Sequence, residues 1–207
     1  RNRLCIWMSL RLMYRHPTNQ IDLMEKLIRS LDKTGRKYTI VLDGLSLPND
    51  INIEGRYRNK DSLINNARSV SQLSSELVKR CNAANLQNVD IIDATALGLC
   101  DSSQLAYQCD FYICNQGTQH HKIGWISDIP GIIHTNKYFS DKNPSGEWVQ
   151  IQCQSQSEAL ILPSRFIVHV QSGNSRQHLK PFQDYAFISF DMAIDWIVVA
   201  LDYATMS

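Results

Sequence analysis

The stretch "CDFYICNQGTQHHKIGWISDIPGIIHT", residues 109–135, decides how this chain is read. Phe111–Cys114 is apolar at successive positions, so both faces of that strand are buried. Strands buried on both faces belong to parallel sheets covered by helices. A parallel neighbour needs a crossover, and Thr118–Ser127 has the length of one helix. After Pro130 a second apolar run, Gly131–Thr135, supplies the next strand.

The same pattern extends outward. Leu4–Leu10, Tyr38–Asp43 and Val89–Ala94 are further apolar runs of strand length. Between them Ile21, Met24, Leu27, Ile28 and Leu31 recur at helical spacing, with Gly35 as the closing residue. Pairs Asp22–Lys26 and Glu25–Arg29 lie four apart on the outer face. Leu63, Ala67, Val70, Leu73 and Leu77 form the stripe of a second helix, with Asp61 as its expected N-cap. A short helix over Ser102–Gln108 precedes the strand of the opening stretch. The alternation predicts a doubly wound, mostly parallel, Rossmann-like α/β sheet in the order 3-2-1-4-5. Beyond Tyr138 the pattern is less regular. "EALILP" and "FIVHV" read as extra edge strands, and Phe190–Tyr203 as a closing helix. With no repeat or linker, residues 1–207 read as one domain. The chain starts at Arg1 without an initiator Met and is expected to be one part of a larger protein.

Composition removes several classes. Lys and Arg total 21 against 20 Asp and Glu, for a net charge of +1, so no broad basic surface for nucleic acid is declared. No apolar run has the length of a membrane span, and Asp195 and Asp202 interrupt the most apolar tail. The six cysteines form no C-x-x-C pair, which predicts free thiols in a reducing compartment and a cytoplasmic location. No metal-ligand spacing is present, so no metal is expected.

In such sheets ligands bind beyond the carboxyl ends of the strands. Gly117 ends one strand and begins a helix, whose free N–H groups and positive end favour a phosphate. Thr118, His120 and Lys122 could add donors, and Arg11 at the end of the first strand could reach the same phosphate. The competing reading makes Gly117 a plain turn and His120, His121 and Lys122 a solvated helix face. No G-x-G-x-x-G, P-loop or G-x-S-x-G is present, which argues against a nicotinamide or flavin cofactor, and no cofactor is expected. Asp43 reads as a turn former, His16 as a loop residue, and Arg56, Arg58 and Lys60 as a solvated loop. Trp7, Trp125 and Trp196 read as core.

The order "DIIDATALGL", "CDFYICNQGTQHHKIGW" and "DIPGIIHTNKYF", with "WMSLR" and "VLDGLS" upstream, resembles the nucleotide-sugar half of GT-B glycosyltransferases. Within these it is similar to family 61-like polysaccharide glycosyltransferases over roughly residues 4–140. The resemblance implies diphosphate contacts at Arg11, Gly117, Thr118, Lys122 and His120. It implies base or ribose contacts at Asp93, Ala94 and Leu97, and donor-sugar contacts at His134 and Asn136. A glycan or lipid-linked acceptor would be the second substrate, and no catalytic residue is assigned. The alternatives are a non-catalytic nucleotide- or sugar-binding module and a structural interaction domain.

Overall fold

The computed structural model describes residues 2–206 except 49, 55, 96, 155 and 172–177, with side chains at all of these but 118, 119, 150 and 206. The chain runs β1 (Arg3–Ser9), α1 (Gln20–Lys33), β2 (Lys37–Asp43), α2 (Lys60–Asn82), β3 (Val89–Asp93), α3 (Leu99–Tyr107), β4 (Phe111–Asn115), α4 (Thr118–Ile126), β5 (Gly131–His134), α5 (Lys137–Lys142), α6 (Glu147–Cys153), β6 (Ala159–Ile161), β7 (Ile167–Val170), β8 (Asp184–Phe187) and α7 (Phe190–Met206). Strands β1 to β6 form one sheet in the order β3-β2-β1-β4-β5-β6, parallel throughout. The fold is the doubly wound α/β sheet predicted above, with one strand more at the β5 edge.

Alternation along β1 shows how the sheet divides its two cores. Ile6 and Met8 pack with α1, α2 and α7, while Trp7 between them packs with α3, α4 and α6. All three side chains are fully buried, each contributing about 1.5–3 kcal/mol of transfer free energy. Edge strand β3 is less covered and leaves Ile92 half-exposed.

Local details depart from the sequence reading in places. Helix α2 begins at Lys60, two residues early, and Asn59 caps it without a side-chain bond. Asp61 lies in the first turn instead, where a carboxylate still favours the positive helix end. The Glu25–Arg29 pair forms at 2.7 Å, but Asp22 turns to Arg80 of α2 at 3.0 Å rather than to Lys26. "FIVHV" does not extend the main sheet. It forms β7, which pairs antiparallel with the unforeseen β8.

That hairpin holds the loop that follows β1. The Asn19 side chain exchanges two hydrogen bonds with the Phe187 backbone, both at 2.9 Å, as a neighbouring strand would. Buried Asp184 accepts from the His16 backbone N–H at 3.0 Å. The Thr18 N–H donates to the Tyr185 carbonyl at 2.8 Å. The loop therefore has a fixed path over the carboxyl end of the sheet. No helix among the described residues is long and apolar enough to cross a membrane.

Candidate functional site

Strand β1 leads into α1 on one face and β4 into α4 on the other, so strand order reverses between them. The crevice at that reversal is where open α/β sheets bind ligands. Gly117 turns the chain there with φ 127° and ψ −153°, a conformation essentially restricted to glycine. A Cβ at this position would lie 2.7 Å from Arg11 Nη1 and 3.6 Å from Arg15 Nη2. Two guanidinium groups thus close over the start of α4.

Arg11 is partly committed. Its Nη1 donates to the Gln116 carbonyl at 2.9 Å and its Nε to that of Met13 at 3.1 Å. Two of five N–H groups are used, and the rest remain. The buried Gln20 side chain fixes its backbone from both sides, at 3.0 and 2.6 Å. Arg15 reaches the crevice through a left-handed backbone, φ 63°, and rests over the Phe139 ring at 5.4 Å. Its Nε is buried without a hydrogen-bond partner. Among the described residues neither arginine is ion-paired to a carboxylate. Burial, then the charge of Arg15, lowers the Arg11 pKa to about 10, which leaves it charged at neutral pH. Burial also lowers that of Arg15.

His120 joins these residues, in a different role from the expected donor. Its Nδ1 accepts the Gly117 N–H at 2.8 Å, so the ring caps its own helix. That bond puts the ring proton on Nε2, which is buried without a partner. Burial first, then His121 and the two arginines, hold the imidazole pKa near 3 and the ring neutral. It is no solvated face residue, being 1% exposed. The Thr118 side chain lies outside the described residues.

Lys122 points away from the crevice. Its ammonium contacts Asp43 Oδ2 at 2.5 Å, Ser102 Oγ at 2.8 Å and Ser46 Oγ at 2.9 Å, over the Trp7 ring at 5.2 Å. All three protons are engaged, and none is left for a phosphate. Asp43 is fully buried rather than a surface turn residue. Burial pushes its carboxyl up, and Lys122 pulls it back.

The residues assigned to base and sugar scatter. Asp93 closes a turn by accepting from the Thr95 N–H and hydroxyl at 3.0 and 2.6 Å. Ala94 is buried, with its N–H on the Leu42 carbonyl at 2.8 Å. Leu97 lines a cavity of 550 Å³ with Leu45, Leu47, Ile64 and Thr95. His134 faces inward. Tyr185 OH bonds its Nδ1 at 2.7 Å, and burial, then Arg11, hold its pKa near 3. Asn136 caps α5 by accepting from the Phe139 N–H at 3.2 Å, and its amide donates to the carbonyls of Lys180 and Gln183. These bonds account for Asn136 structurally.

No family model matches the chain, and no curated protein matches it. Two solved structures are similar to it at low levels. One is a universal stress protein from Archaeoglobus fulgidus, 12% identical, covering 63% of this chain and 92% of that one, with a TM-score of 0.36. The other is a universal stress protein solved in complex with cAMP, 10% identical, covering 78% of this chain and 97% of that one, with a TM-score of 0.34. The resemblance to glycosyltransferases is corrected by this outcome, since the similar structures are universal stress proteins. None of these comparisons supports a nucleotide-sugar donor or a glycan acceptor. Likenesses this weak assign no residue a role.

Proposed function

We propose that this chain is a single α/β unit that binds a nucleotide by its phosphate in the crevice between β1 and β4, without transferring a group itself. The observation that carries the reading is the pair of arginines over Gly117, held close together without a carboxylate. Two like charges in a half-buried place are costly unless an anion sits between them. A phosphate there would receive guanidinium N–H groups from both sides and the N–H groups at the start of α4. The cavity beside Leu97 has the volume of a small-molecule site and would take the base. Binding rather than chemistry is favoured because the titratable groups nearby are engaged. His120 and His134 are buried and neutral, and Asp43 is paired with Lys122.

Calorimetry with a nucleoside diphosphate and its free nucleoside tests this. Arg11→Ala is expected to weaken the diphosphate by about 1.5–3 kcal/mol, the range for a hydrogen bond to a charged group. The nucleoside should change far less. Equal losses for both ligands, or none for either, would remove the phosphate role.

A further inference from the structure

Trp125, expected in the core, is 67% exposed. An exposed tryptophan is unremarkable when it is loose, but this one is held. The His121 ring stacks on it with centroids 5.0 Å apart and planes 8° from parallel. The indole Nε1 donates to the Gln152 carbonyl at 3.3 Å, and the Gln152 side chain meets His121 Nε2 at 3.0 Å. The last turn of α4 and the end of α6 thus fix the plane of a ring that remains open to solvent.

That ring borders a cleft of 330 Å³ between α3 and α4, lined also by Leu99, Ile126, Ser46, Ser103 and Lys122. Leu99 is a further exposed apolar side chain there, 47% accessible. The volume falls within the range of small-ligand sites. The polar groups limit what can enter. Lys122 is neutralised by Asp43, and its protons go to Asp43, Ser46 and Ser102, so the cleft presents no net charge. The Ser46 hydroxyl already donates to Ser102 and accepts from Lys122. The Ser103 side chain has no hydrogen bond among the described residues. A sugar ring would bring several hydroxyls into a place with little to bond them, and each unbonded one costs free energy. A flat heteroaromatic ring needs one or two edge bonds and an apolar wall.

We propose that the α3–α4 cleft is a second ligand site, which takes a neutral heteroaromatic ring of nucleobase type stacked on Trp125 and bonded at its edge by Ser103. It is independent of the phosphate reading, because it shares no side chain with Arg11, Arg15 or Gly117.

The test uses the full chain with adenosine, uridine and methyl β-glucoside, followed by calorimetry and tryptophan fluorescence. Adenosine is expected to bind, uridine more weakly because it stacks over less area, and the glucoside least. Trp125→Ala should weaken adenosine about 5- to 150-fold, the scale of base stacking on an aromatic side chain. Trp125→Phe should retain most of the affinity. The Trp125 side chain is exposed, so these variants keep the fold. No adenosine binding by the parent chain, equal binding by Trp125→Ala, or a glucoside bound as tightly as adenosine would each overturn the proposal. Adenosine weakened only by changes beside Leu97 would place the ring in the other cavity and leave the phosphate reading intact.

Discussion

Two clusters of cations stand at the carboxyl end of this sheet, and they are built on opposite terms. Beyond β2, Lys122 is closed in by Asp43, Ser46 and Ser102, with every proton engaged. Beyond β1, Arg11 and Arg15 converge on Gly117 with no carboxylate ion-paired to either among the described residues and with N–H groups to spare. A lysine near a helix start and an arginine at a strand end look alike as phosphate ligands until their partners are known. What separates a structural cation from one available to a ligand is whether the fold has already neutralised it.

The largest effect should come from breaking the closed cluster. Lys122→Met leaves Asp43 buried without its partner, and loss of one member of a buried pair costs about 3–5 kcal/mol. Urea unfolding should show that loss, while a nucleoside diphosphate binds the folded protein as before. Lys122→Met with Asp43→Leu should recover much of the stability, because an apolar pair in place of a buried ion pair is often neutral. A stable Lys122→Met protein with lost phosphate affinity would reverse the assignment of the two clusters.

The next effect is on acid stability and comes from the open side. His120 and His134 have pKa values near 3 in the folded chain, against an ordinary value of 6.5. Below pH 6.5 the unfolded chain takes up two protons that the folded chain refuses. Stability is therefore unaffected above pH 6.5 and falls as pH drops toward 3. At pH 5.5 the two groups together should cost about 3 kcal/mol. Urea midpoints at pH 8 and pH 5.5 give the comparison, and His120→Gln should remove about half of the difference. A pH-independent midpoint would show that these imidazoles are not buried and neutral.

How much of this was legible in the sequence depends on the range of the interactions. β1, β2, β4 and β5 appear as mostly apolar runs because parallel strands inside the sheet are covered on both faces, edge strand β3 carries two exposed aspartates, and the order follows from the alternation with helices. After residue 138 the sequence shows the strands in "EALILP" and "FIVHV" and the closing helix α7, but α5, α6 and β8 are too short to carry a period. Arg11 and Gly117 could be found because each follows a strand directly. Lys122 was misplaced because its partner, Asp43, lies 79 positions away (122 − 43) and is brought near only by the register of the sheet. Arg15 left no signal at all. It stands in a loop, and its left-handed backbone, fixed by β8 behind it, is what aims it at Gly117. Residue type alone puts Trp125 in the core, whereas its position on α4 faces outward.

The smallest expected change in stability makes the sharpest contrast between the clusters. Arg15 makes no hydrogen bond among the described residues, and its main contact is with the Phe139 ring. Its removal also relieves the repulsion that helps to depress Arg11. The lost ring contact and the relieved repulsion act in opposite directions, so Arg15→Met should alter stability by no more than about 0.5 kcal/mol, as for a surface substitution. Affinity for a nucleoside diphosphate should nevertheless fall by about 1.5–3 kcal/mol. The fall should shrink as salt rises, because the lost contact is between charges at a half-open site. A residue kept for structure would show the reverse, a loss of stability with affinity unchanged. Denaturant titration and calorimetry on this single variant therefore separate an arginine that serves the ligand from one that, like Lys122, serves the fold.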